Sequence, residues 1–140
     1  MNPELVILRS LEIALADAAA ANALPIAYEN VRFVPGETQA YLEAHLLPAT
    51  VDNPTLGDGS YRQPGIFQVT VVAKAGNGSA PARGIAGDIA AQFPRGRTVH
   101  HADGVRLLID ETPTVRPGAP DGDWYRVPVD IGFTADVTPA

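Results

Sequence analysis

The chain has no cysteine, so a disulfide framework, a thiolate metal site, an iron–sulfur cluster and a catalytic thiol are all excluded. Lysine occurs once, as Lys74. The other basic residues are arginines placed singly along the chain, and with a net charge of −6 they offer no continuous phosphate-tracking surface. Direct nucleic-acid binding is not expected. No apolar run approaches the roughly eighteen residues that a membrane span needs, and Glu4, Arg9 and Glu12 interrupt the stretch where a secretory leader would need apolar residues. Neither a membrane contact nor export is expected. Charged residues make up only 19%, but 46% of the chain is hydrophobic, which is too apolar for wholesale disorder. At 14.7 kDa the chain is the size of one domain. Its folded surface should be roughly 6,900 Å² against roughly 21,000 Å² unfolded, so about two-thirds is buried.

The opening Asn2-Pro3-Glu4 supplies an N-cap residue, a proline suited to the first helical position and an acid for the first turn. A helix is expected from there to about Asn22. Leu5, Leu8, Leu11 and Leu15 form its core stripe, widened by Val6, Ile7 and Ile13, and Leu24-Pro25 ends it. The period then changes to two. Ile26 to Phe33 and Gln39 to Leu47 read as strands around a Pro35-Gly36 turn, with Tyr41, Glu43 and His45 on one face and Leu42, Ala44 and Leu46 on the other. Ile66 to Ala73 is the most strand-like run and is expected to be central.

Gly76-Asn77-Gly78-Ser79 leads into a helix from Ala80 to Phe93, with Ile85, Ile89 and Phe93 as its apolar stripe. Thr98 to His101 and Val105 to Asp110 form a hairpin around Asp103-Gly104, which Glu111 to Val115 would prolong. Trp124 to Ala135 is the last strand, and Pro128 in it suggests a sheet edge or a bulge. The expected fold is a single α+β domain over residues 1–140. It has an antiparallel or mixed β-sheet packed by an N-terminal helix and a second helix, and long Gly- and Pro-rich loops at about 50–64 and 116–123.

Candidate chemistry is sparse. His100 and His101 beside Asp103, with His45 at a distance, are the best metal candidates, but adjacent residues on a strand point to opposite faces. Asp121-Gly122-Asp123 and Asp110-Glu111 lack the oxygen ladder of a calcium loop. The Gly76-Asn77-Gly78-Ser79 turn lacks the lysine and the spacing of a phosphate loop. Ser10, Ser60 and Ser79 lie outside any nucleophile elbow. No catalytic residue, metal site or cofactor is expected, and a structural or binding role is favoured.

The amphipathic first helix, Ala27 to Phe33 with Pro35, and Tyr41 to Ala49 together resemble the tail terminator-like family of tailed, lambda-like phages and prophages. Gly65 to Val71, the Gly76-Asn77-Gly78 turn and the helix ending at Phe93 continue the pattern over about the first two-thirds of the chain. The remainder is similar only in strand order and in its closing aromatic strand. The resemblance implies a lambda terminator-like α+β domain that forms a hexameric ring on the head-proximal end of the tail, stops tube growth and supports head–tail joining. Isolated subunits could stay monomeric. It implies as partners the tail tube protein and the head–tail connector, with the host cytoplasm during assembly and then the virion tail as its locations. No cofactor or active site is implied. Asp52, Asp58, Tyr61 and Arg62 are the expected subunit or partner interface, because an acidic loop beside an aromatic and an arginine offers charge pairing and an anchor. The alternatives are another head–tail adaptor or minor tail protein, and a small metal-dependent enzyme built on His100, His101 and Asp103.

Overall fold

The computed structural model of the chain describes residues 2–36 and 39–139. Helix α1 spans Pro3–Ala20, and the Asn2 side chain caps it by accepting from the N–H groups of Glu4 and Leu5 at 3.1 and 3.4 Å. Its buried face is Ile7, Leu11, Ala14, Leu15, Ala18 and Ala19. The expected stripe is thus rotated: Leu5 and Ile13 are exposed and Leu8 is only half-buried. Ile13 lies two residues from both Leu11 and Leu15, which puts it on the opposite side of a 3.6-residue turn. The helix ends earlier than Asn22, in a Schellman turn. The N–H groups of Leu24 and Ala23 donate to the carbonyls of Ala19 and Ala20, both at 3.2 Å, while Ala23 takes a left-handed φ of 52°.

The remaining elements are β1 (Ile26–Ala27), β2 (Tyr41–Pro48), β3 (Tyr61–Lys74), helix α2 (Ala80–Ala91), β4 (Thr98–Ala102), β5 (Val105–Ile109), β6 (Thr114–Val115), β7 (Ala119–Asp121) and β8 (Trp124–Val137). They form one sheet in the order β1-β2-β3-β8-β5-β4, with β6 and β7 also paired to β8. β1 runs parallel to β2 and the other pairings are antiparallel, so the fold is α+β with a mixed sheet. The sheet curls into a half-barrel, and the two helices share one hydrophobic core with it. The long β3–β8 pair, in register from Tyr61↔Val137 to Lys74↔Trp124, is its spine. Phe67, Val69 and Val71 of β3 and Val127, Val129, Ile131 and Phe133 of β8 are buried in that core. Each such side chain stabilises the fold by about 1.5–3 kcal/mol.

Four local expectations change. The strand expected at 26–33 stops at Ala27, because the Val31 N–H turns back to the Tyr28 carbonyl at 3.3 Å and Asn30 adopts φ 55°. Residues 111–115 do not prolong β5. The chain breaks after Ile109 and resumes as β6 against a different stretch of β8, with Pro113 unable to donate at the break. The two long loops are shorter than expected, since Tyr61 to Pro64 belong to β3 and Ala119–Asp121 form β7. Pro128 lies neither at an edge strand nor beside a bulge in the β3–β8 ladder, but in the interior strand β8. Its carbonyl accepts from the Arg116 N–H at 2.8 Å, so its nitrogen points to the same side, toward the segment between β6 and β7 where little ladder exists to disrupt.

Helix α2 buries Ala82, Ala86 and Ile89, and Phe93 is fully buried just beyond its end. Ile85 packs at the margin. The β4–β5 turn is formed as expected, with Asp103 and Gly104 at φ 56° and 75°, the paired positive values of a type I′ hairpin.

Candidate assembly surfaces

The face of the sheet turned away from the helices carries an ionic ladder. Arg126 on β8 donates from Nη1 to Glu43 on β2 and from Nε to Asp121 on β7 at 2.7 Å, so one guanidinium ties three strands across the intervening β3. Asp130 accepts from Gln68 at 2.9 Å and from Arg116 at 2.7 Å. At one end of this face Tyr41 meets Trp124 edge-on at 5.5 Å and stacks with Phe33 at 4.7 Å, while the Lys74 ammonium lies 5.3 Å from the centre of the Trp124 ring. Burial first, and then the Glu43 carboxylate, push the Tyr41 phenol pKa up. These groups satisfy one another, and the arrangement is that of a sheet brace.

The residues expected to form an interface fall into two places. Asp52 and Arg62 exchange backbone hydrogen bonds of 2.7 and 2.9 Å, which pins the base of the 49–60 loop to β3. The Arg62 Nε donates to Asp136 at 2.8 Å in a pair whose side chains are 46% and 40% exposed, and the Asp136 carboxylate holds the guanidinium pKa up. Tyr61, its neighbour in β3, is half-buried against the core. Asp58 sits apart in a turn of its own. It accepts from the Thr55 hydroxyl at 2.7 Å and the Ser60 N–H at 2.9 Å, and these bonds, the Thr55 bond foremost, hold its carboxyl below the usual range. Beside it Leu56 is wholly exposed, at 101%.

A third surface was not legible as such in the sequence. α1 and residues 28–31 enclose an open groove of about 580 Å³, lined by Leu8, Ile13, Tyr28 and Val31 among others, with Glu12 and Glu29 set in it. Ile13 and Val31 are 63% and 61% exposed there. Burial raises the Glu12 pKa, the Glu29 charge raises it further, and Arg9 only partly opposes them. Tyr28 is shifted up by burial and by Glu12. Glu29 also accepts from the Leu46 N–H on β2. The signal the sequence held was the spacing of Ile13, two residues from both Leu11 and Leu15, which the expected stripe nonetheless includes.

The residues weighed for chemistry do not converge. Among the described residues no three His, Asp or Glu side chains gather around a common point. The His100 ring contacts the Ala102 carbonyl at 3.2 Å, His101 lies opposite Arg106 in the hairpin, and His45 is on the distant β2. Asp110 accepts from the Thr134 hydroxyl, and Asp121 belongs to the Arg126 brace. Ser79 precedes α2 without a side-chain capping bond. No helix among the described residues is long and apolar enough to cross a membrane.

The domain is thus a half-barrel braced by ion pairs across its outer face, with an open groove beside α1. The sequence matches the phage tail terminator protein family over residues 6–133, and the chain belongs to that family, which makes it a phage tail structural protein. A solved structure that carries only a sequence label superposes with a TM-score of 0.79 at 29% identity, covering 100% of this chain and 99% of that one. A chain from the virion of a native gene transfer agent particle superposes with a TM-score of 0.54, covering 94% of this chain and 97% of its own; at 19% identity the likeness speaks for the fold alone. No curated protein matches the sequence.

Proposed function

We propose that this protein caps the head-proximal end of the tail tube as a ring, a hexamer by resemblance, and presents its outer face to the head–tail connector. The family match across residues 6–133 carries the reading. The shape of the monomer agrees with it. The surface of 7,799 Å² exceeds by about 900 Å² the roughly 6,900 Å² expected of a compact monomer this size, and part of the exposed area is apolar, at Ile13, Val31, Val34 and Leu56. Such area is the raw material of an interface. Asp52, Tyr61 and Arg62 at the loop base, with Leu56 and Asp58 beyond them, form the surface that meets the adjoining tail protein. Six subunits at −6 each repel one another over long range, and salt screens that repulsion over roughly 10 Å at 0.1 M. No cofactor, metal or catalysis enters this role.

The test is electron microscopy of tube protein polymerised with and without the chain. The expected result is short tubes with added density at one end when the chain is present, and overlong tubes when it is absent. Tubes of unchanged length with bare ends would overturn the capping role and favour an adaptor elsewhere in the head–tail joint.

A further inference from the structure

Resting on that ring reading, we propose that neighbouring subunits make a heterologous contact in which the groove between α1 and residues 28–31 of one copy receives the basic β4–β5 hairpin edge of the next. The groove sets what its occupant must bring. Ile13 and Val31 want aliphatic cover, and Glu12 and Glu29 place two carboxylates there against Arg9 among the lining residues. Burial and the neighbouring Glu29 already push the pKa of Glu12 up, so a cation seated between the two carboxylates is favoured. An arginine answers both needs, because its stem covers apolar surface while its planar fork binds a carboxylate.

This chain carries such an element. Residues 1–60 hold eight acids and two arginines, which equals the −6 of the whole chain, whereas residues 95–106 hold three arginines and two histidines against Asp103 alone. Of those arginines, Arg97 is spent internally, donating to the Gln92 carbonyl at 2.5 Å and lying 5.4 Å from the centre of the Phe93 ring. Arg95 and Arg106 are exposed and make no ion pair among the described residues. They flank β4, the last strand of the sheet, whose outer edge has no strand partner among the described residues. The acidic and basic surfaces are therefore complementary and lie on different elements of one chain. A two-fold contact of groove on groove would crowd four carboxylates together, so the contact must be heterologous, the type that closes into rings.

The test uses two variants of the full chain: a groove variant, Glu12→Arg with Glu29→Arg, and a hairpin variant, Arg95→Glu with Arg106→Glu. Circular dichroism first confirms that each is folded, and Glu12→Gln with Glu29→Gln replaces the groove variant if it is not. Ring formation is then read by mass photometry across protein concentration and by microscopy of tube ends. Each variant alone is expected to raise the concentration for assembly by at least about tenfold. An equimolar mixture of the two charge-reversed variants is expected to recover rings of alternating subunits, because each variant's groove is complementary to the other's hairpin, and the fourfold swap is expected to restore rings by itself. If wild-type chains form rings and both variants do so at unchanged concentration, this contact is wrong and the ring reading stands. If both variants form rings but no longer bind tubes, the groove and hairpin face the tube protein and the contact is again wrong. If wild-type chains form no ring even on tubes, the ring reading itself fails.

Discussion

Phe93 gives the sharpest test of the packing. It lies beyond the last turn of α2, fully buried, with its N–H donating to the Ala90 carbonyl at 3.1 Å and the Arg97 guanidinium over its ring. A buried aromatic removes roughly 150–250 Å² from water, which at about 25 cal/mol per Å² is about 4–6 kcal/mol. Truncation to alanine retains a little of that area and leaves a cavity, so Phe93→Ala should cost about 3–5 kcal/mol. Against a total of about 5–15 kcal/mol, the loss brings the domain close to unfolding. Thermal denaturation followed by circular dichroism should show the midpoint falling by roughly 6–20 °C, at about 2–4 °C per kcal/mol for a chain this size. Phe33→Ala is the control. Phe33 is half-buried and stacks on Tyr41 from a segment outside the sheet, so its truncation should cost only about 1–2 kcal/mol. A cost below about 1 kcal/mol for Phe93→Ala, or a larger cost for Phe33→Ala, would refute the assignment of α2 and its following turn to the core.

Ala23→Gly should stabilise the chain by about 1 kcal/mol, since Ala23 holds φ 52° in the Schellman turn; urea unfolding would show a higher midpoint at unchanged slope. Arg126→Met leaves Glu43, whose side chain is 24% exposed, without its partner and should cost about 1–3 kcal/mol, part of it recovered in the double variant with Glu43→Gln. The groove predicts a pH effect with the opposite sign to an ordinary salt bridge. Because the pKa of Glu12 is raised above the ordinary value of a glutamate, the folded state holds its proton longer and stability is lost as pH rises through the folded pKa. Glu12→Gln should therefore raise the melting temperature of the monomer at pH 7 and leave it unchanged at pH 3; the same increase at both would remove Glu29 and burial as its causes.

What the sequence made legible depended on whether the deciding interaction was local. α1 and the β4–β5 hairpin are specified by neighbours in the chain, Asn2-Pro3-Glu4 at a helix start and Asp103-Gly104 at a turn, and both appear where those residues place them. The alternation from Ile26 to Phe33 suggested a strand, but a strand needs a partner ladder, and Asn30 turns the chain off after two paired residues. Pro128 signals an edge or a bulge because its missing N–H is visible in sequence, while the pairing of β5, β6 and β7 along one side of β8 is not. The candidate interface residues divide on the same principle. Asp52 and Arg62 stand out in sequence as an acid and an arginine near one loop and bridge through their backbones, with the Arg62 side chain pairing with Asp136 instead, whereas Glu12 and Glu29 belong to separate segments that only the packing of α1 beside residues 28–31 brings together.

The measurement closest to the central claim is a cryo-electron microscopy reconstruction of tails assembled in the presence of this chain. A terminator predicts a single ring of the half-barrel domain at the head-proximal end, with the groove between α1 and residues 28–31 of each subunit closed by the neighbouring β4–β5 hairpin. Density repeating along the tube, or tube ends with no added ring, would contradict it.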